Sequence, residues 1–189
     1  MRFFMDTYIK KITEFLHEGK NILYPTDTIW GIGCDATNET AVEKIFAIKQ
    51  RPKQKSLIVL VDSVKMLKKY IVVTKEIESL ITSFEFPTTI IYSNPNGLAR
   101  NAVNADNTIA IRIVRHEFCE QLIHQLDKPI ISTSANISGE KSPVSFEDIN
   151  KQVKDNVDFI VDKKYDTSIC KFPSKLIKIN ADNSIEYLR

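Results

Sequence analysis

Ile22-Leu23-Tyr24-Pro25-Thr26-Asp27-Thr28-Ile29-Trp30-Gly31-Ile32-Gly33-Cys34-Asp35 is the stretch on which the architecture depends. A short apolar run meets Pro25, which cannot donate to a sheet ladder, and then a group of hydroxyls around one carboxylate. That order predicts a strand ending in a sharp polar turn, with Thr26, Asp27 and Thr28 at its mouth. Gly31 and Gly33 predict backbone angles closed to other residues. Downstream, Val42, Ile45, Phe46 and Ile48 recur at helical spacing. Lys49-Gln50-Arg51-Pro52-Lys53-Gln54-Lys55-Ser56 then leads into Leu57-Ile58-Val59-Leu60-Val61, an unbroken apolar run that reads as a strand buried on both faces. Cations packed between a helix end and a buried strand point to a polyanion site. The plainer reading is that they complement the helix macrodipole and face water.

Working outward, Asp6 is placed to cap a first helix carrying Tyr8, Ile9, Ile12, Phe15 and Leu16, with Gly19 as its stop. Thr40-x-x-Glu43 offers a capping box for the second helix, which Pro52 should end near Gln50 or Arg51. Ser63 and Thr74 open two more helices, and Thr88-Thr89-Ile90-Ile91-Tyr92 reads as a strand. Asn94-Pro95-Asn96-Gly97, with Asn101, Asn104 and Asn107, marks a polar loop. In the next strand the two-residue period puts Ile109, Ile111 and Ile113 on one face and Ala110, Arg112 and Val114 on the other. Arg112 therefore calls for an anionic partner, because burying it unpaired is costly. A helix over 116–126 turns Phe118, Leu122 and Ile123 inward. Pro129-Ile130-Ile131 is a strand delivering the loop Ser132-Thr133-Ser134-Ala135-Asn136, Ser145-x-x-Asp148 resembles a helix start, and 157–161 is a strand. Segment 163–173 shows little periodicity and reads as a mobile loop, while 175–180 and 185–188 form a hairpin or two edge strands.

At 189 residues, the chain supports one domain spanning 1–189 with a substantial core. A net charge of +2 is mild and does not imply a dedicated nucleic-acid coat, though a local basic groove is compatible with it. Met1-Arg2-Phe3-Phe4-Met5-Asp6 lacks the apolar core of a secretory signal, and no apolar run reaches transmembrane length, so a cytoplasmic protein without a membrane is expected. Cys34, Cys119 and Cys170 are odd in number and far apart, which fits reduced thiols. His116, Cys119 and His124 do not make a ligand set of usual spacing, so no protein-held metal is expected. Alternating strands and helices with hairpins near the end predict an α/β fold: a single domain with a twisted mixed β-sheet flanked by helices. Three polar segments leave strand ends, at 26–28, 49–56 and 132–136, where open sheets collect ligands. Without a Gly-x-Ser-x-Gly elbow, neither Ser132 nor Ser134 reads as a hydrolase nucleophile. The 132–136 segment could equally be a turn with side-chain caps.

Pro25-Thr26-Asp27-Thr28-Ile29-Trp30-Gly31, Lys49-Gln50-Arg51-Pro52, Thr108-Ile109-Ala110-Ile111-Arg112 and Ser132-Thr133-Ser134-Ala135-Asn136-Ile137-Ser138-Gly139 together resemble the YrdC-like family, the L-threonylcarbamoyladenylate synthases of tRNA modification. The motifs stand in the family's order and cover nearly the whole chain from Ile22 onward. The resemblance implies a sheet with a concave basic face and a nucleotidyltransferase reaction. In that reaction L-threonine, bicarbonate or CO2, and ATP give threonylcarbamoyl-AMP and pyrophosphate, and a separate threonylcarbamoyl transferase complex takes the product for N6-threonylcarbamoyladenosine in tRNA. It also implies that Lys49, Arg51 and Lys55 contact ATP phosphates, with Lys49 and Arg51 catalytic, and that Thr108, Ser134, Asn136, Ser142 and Arg189 complete the nucleotide side. Thr28, Arg112, Ser132 and Ser174 match the threonine side, where the fork of Arg112 suits a carboxylate. Mg2+ is expected to travel with ATP. Two other readings stand beside this one. One is a module binding double-stranded RNA or tRNA along the basic face. The other is a carbamoyl-adenylating accessory protein, whose known forms add Cys-x-x-Cys zinc modules that this sequence lacks.

Overall fold

Tyr24 ends β1 (Ile22–Tyr24), and the chain returns through the polar turn as β2 (Gly31–Gly33), antiparallel to β1 with Leu23 opposite Ile32. The computed structural model describes residues 2–50, 56–168, 170–180 and 184–189. Gly31 and Gly33 lie in extended strand backbone, not at positive φ, which corrects the expectation of special angles. They are required for space. A Cβ on Gly33 would lie 2.3 Å from the Ile131 carbonyl oxygen and 2.7 Å from the Tyr24 ring.

Seven further strands complete the sheet: β3 (Ile58–Val61), β4 (Thr88–Ser93), β5 (Thr108–Ile113), β6 (Ile130–Ser134), β7 (Phe159–Ile160), β8 (Lys175–Ile179) and β9 (Ile185–Tyr187). Their order is β7-β1-β2-β6-β3-β5-β4-β8-β9, with parallel pairs at β7/β1, β3/β5 and β4/β8 and antiparallel pairs elsewhere. This is the mixed α/β sheet expected. β6 joins its halves, pairing Ile130, Ile131 and Ser132 with β3, and Thr133 and Ser134 with β2. The strand therefore runs through Ser134, where the sequence suggested a loop. The terminal hairpin is present: β8 lies inside the sheet and β9 forms its edge.

Helices α1 (Arg2–His17), α2 (Glu39–Ile48), α3 (Val64–Leu67), α4 (Lys75–Ser83), α5 (Glu117–Leu126) and α6 (Lys151–Asn156) surround it. Ser63 and Thr74 cap α3 and α4 as expected, each accepting a backbone N–H. Asp6 lies inside α1 and caps nothing, and Gly19 ends that helix at φ 71°. α2 is capped by Asn38, whose side chain accepts from Ala41 N–H, in place of the box at Thr40 and Glu43. Asp148 does gather the N–H and hydroxyl of Ser145, but α6 starts later, behind Asn150. Ile109, Ile111, Val59, Val61, Ile131 and Ile177 share one core with Phe118, Leu122 and Leu67 of α5 and α3. That sheet face is covered by helices. Among the described residues no helix is long and apolar enough to cross a membrane.

Candidate active-site cleft

The opposite sheet face follows from the registers. Residues paired across strands share a face, so Ile58 brings together Ala110 and Ser132, Leu60 lies beside Arg112, and Gly31 beside Ser134. Small residues and hydroxyls therefore surround one buried guanidinium on the floor of a cleft of about 470 Å³. Thr28, Ile29 and Trp30 make one wall, while Pro173, Ser174, Leu176 and Arg189 make the other. Ser56, Asn104 and Ser142 complete the lining.

The polar turn after β1 is wired in one direction. Thr26 Oγ1 lies 2.8 Å from the Ile29 carbonyl, to which it donates its only proton, and it accepts from Thr28 N–H at 3.1 Å. The contact of 3.0 Å between the two hydroxyls must then be Thr28 donating to Thr26. Thr28 Oγ1 is left as an acceptor, 3.4 Å from Arg112 Nη2. Arg112 finds its anion within the fold: Nη2 donates to Asp27 Oδ1 at 2.9 Å, and both side chains are only 4% exposed. Asp27 Oδ2 accepts from Arg115 N–H at 3.2 Å. Arg112 Nε is enclosed without an acceptor among the described residues, a costly state for a charged donor.

Lys49 is placed differently from a cleft-lining cation. Its side chain is buried, and Nζ donates to the carbonyl of Ser134 and, at 2.6 Å, to that of Asn136. Asn136 in turn donates its amide to the Ile137 and Glu140 carbonyls, and Ser138 N–H returns to the Lys49 carbonyl. Together Lys49 and Asn136 build the turn that ends β6, directly behind Ser134. Thr108 lies behind Asn104, which donates to its hydroxyl at 3.0 Å. Thr28, Arg112, Ser132, Ser134, Ser142, Ser174 and Arg189 do meet in the cleft. Arg51 and Lys55 lie outside the described residues.

Ser174 Oγ is 2.8 Å from Thr89 Oγ1, and its carbonyl accepts from Arg189 Nε at 3.1 Å. Backbone bonds to Leu176 hold Arg189 against β8. Burial and the nearby charge of Arg112 push the Arg189 guanidinium below its ordinary range, as expected for two cations turned to one cleft.

Asp27, Trp30 and Asn104 were not among the expected site residues. A buried arginine demands a carboxylate, and Asp27 was the acid of the leading motif, so its role was within reach. Asn104 stood among similar asparagines of a polar loop and carried no separate signal. Trp30 Nε1 donates to Asp166 at 2.9 Å, which also takes Lys171. Residues 165–168 are thus fastened to the fold: Tyr165 stacks on Tyr8, Thr167 Oγ1 meets His116 Nε2 at 3.2 Å, and Ser168 Oγ donates to the Thr28 carbonyl at 3.0 Å.

Burial lowers the His116 pKa from its ordinary value, outweighing the nearby Asp27 and Asp166. The folded protein thus favours the neutral ring, and this contribution to stability is complete above a pH of about 6.5, the unfolded value. It is lost as pH falls from there through the lower folded value. Urea unfolding between pH 7.5 and 5 should show this loss in the native protein and a smaller one in His116→Gln; equal losses would exclude His116 as its source.

Residues 14–189 match the Sua5/YciO/YrdC family, whose description reads telomere recombination. A threonylcarbamoyl-AMP synthase of Pseudoalteromonas translucida (strain TAC 125) is 33% identical over 152 residues, covering 78% of this chain and 81% of its own. Two solved structures of P. abyssi Sua5 superpose on 97% of this chain, a substituted variant at TM-score 0.89 and 29% identity, and a complex with L-threonine at 0.85 and 28%. The chain spans 56% and 54% of those two structures, about half their length. With the sheet, the cleft and the motifs in agreement with these matches, the chain belongs to the Sua5/YciO/YrdC family.

Proposed function

We propose that the chain is a threonylcarbamoyl-AMP synthase, joining L-threonine, bicarbonate or CO2, and ATP to give the adenylate and pyrophosphate. The observation that carries this reading is the buried Arg112, lining a cleft with the hydroxyls of Ser132, Ser134 and Thr28 and with Arg189. Arg112 takes the α-carboxylate of threonine, and Thr28, left as an acceptor, accepts a hydrogen bond from its amine. The amine attacks CO2 and loses a proton to form the carbamate. A carbamate oxygen then displaces pyrophosphate from the α-phosphorus of ATP. Ser134, Ser142 and Arg189 receive the phosphates, while Lys49 and Asn136 support them from behind. The family resemblance assigns Arg51 and Lys55, outside the described residues, to the same phosphates. No general base is required beyond water, and the work is positioning and charge stabilisation.

Among the described residues no three His, Cys, Asp or Glu side chains converge as a metal cage, whereas the cleft offers hydroxyl oxygens. That donor set suits Mg2+ held chiefly by phosphates and water, where it would offset the charge of the triphosphate. We place the protein in the cytoplasm, passing its product to a separate transferase acting on tRNA.

The reading is tested by pyrophosphate release: it should require threonine, bicarbonate and ATP together, and release without threonine would reject it. Arg189→Ala, which keeps the backbone bonds to Leu176, should weaken ATP use by about tenfold or less with little change in thermal stability. Unchanged ATP kinetics would take Arg189 out of the nucleotide site.

A further inference from the structure

The reading of Arg112 as the carboxylate clamp leaves open what aims it. We infer that Asp27 is its positioning residue, holding the guanidinium through Nη2 so that the orientation of the fork toward the bound amino acid is fixed; the inference rests on the proposed threonine site. An unpaired arginine on this strand would be free to turn toward any carbonyl in the cleft. Asp27 removes that freedom at 2.9 Å. The carboxylate cannot itself turn, because its other oxygen is held by Arg115 N–H, at the exit of β5, the strand that carries Arg112. Thr28 Oγ1 adds a second acceptor on Nη2, and its own proton is committed to Thr26. Both side-chain partners of Arg112 thus engage the same nitrogen, Nη2, and fix the plane of the guanidinium.

A carboxylate beside a carboxylate-binding arginine lowers the raw attraction for substrate. Its presence there is consistent with orientation being worth more than charge, as for outer groups that fix the ligands of a site. Asp27 also lets Arg112 stay buried without substrate, since a buried cation without a partner is strongly destabilising.

The test is a double-mutant cycle on the full chain, reading equilibrium binding of L-threonine and, separately, of ATP. Asp27→Asn should weaken threonine binding about tenfold and leave ATP binding unchanged, and Arg112→Gln should weaken it by up to about a hundredfold. Asp27→Asn added to Arg112→Gln should then cost nothing more for threonine. Unchanged threonine binding in Asp27→Asn, or a full extra loss on the Arg112→Gln background, would overturn the inference. If Asp27→Asn alone does not fold, Asp27→Glu, which keeps the charge but shifts the carboxylate by one methylene, should weaken threonine binding and leave ATP binding unchanged, and unchanged threonine binding in it would overturn the inference. Native protein that binds no threonine would overturn the proposed site itself, and the role of Asp27 with it, whereas binding that is insensitive to Asp27 would overturn only the latter.

Discussion

Arg112→Ala is expected to raise the threonine requirement of adenylate synthesis by about ten- to a hundredfold while the ATP requirement changes little. The size follows from one lost charge-assisted contact, worth about 1.5–3 kcal/mol. The substitution also strands Asp27, a carboxylate only 4% exposed, so the protein should lose about 3–5 kcal/mol of stability, read as a lower urea midpoint. These effects can be separated. Arg112→Ala combined with Asp27→Asn should recover much of the stability and none of the threonine affinity. Steady-state kinetics with each substrate varied against saturating amounts of the others checks the first claim. Damage mainly to ATP saturation would move Arg112 to the nucleotide side.

Gly33→Ala is expected to cost about 3 kcal/mol or more, because the new methyl would lie 2.3 Å from a backbone carbonyl and 2.7 Å from the Tyr24 ring. Neither neighbour yields easily. Tyr24 is fully buried, and its hydroxyl donates to the same Ile131 carbonyl, so movement of one disturbs the other. Gly31→Ala is the internal control: its nearest neighbour is Ser132 Oγ at 3.1 Å, the end of a short side chain facing the cleft. Gly31→Ala should therefore fold and show its effect in activity. Thermal unfolding of both variants measures the contrast, and a Gly33→Ala protein as stable as the native one would contradict the packing described between β1, β2 and β6.

What was legible in the sequence was what local chemistry controls. Pro25 closes β1, the isoleucine alternation sets the faces of β5, and Ser63 and Thr74 cap their helices because each signal acts within a few residues. Gly31-Ile32-Gly33 was not read as a strand, since glycine is depleted there unless another backbone comes close, and that closeness is tertiary. Ser132 and Ser134 looked like loop residues for a similar reason: hydroxyls in a central strand make sense only once that face is known to border a cleft. Asn38, two residues ahead of the suggested Thr40, caps α2 from an extended backbone that the sequence alone did not reveal. In the site, the residues of the polar turn and Arg112 were recognisable, but the division of labour was not. A sequence shows a lysine at 49; only the fold shows its ammonium committed to carbonyls at the end of β6.

The central claim is tested most directly by incubating the full chain with ATP, Mg2+, carbon-labelled bicarbonate and L-threonine and reading the products by mass. The account predicts an adduct containing AMP, threonine and one labelled carbon, formed with equimolar pyrophosphate and absent when leucine replaces threonine. Pyrophosphate without labelled adduct, or an adduct formed equally from leucine, would contradict it.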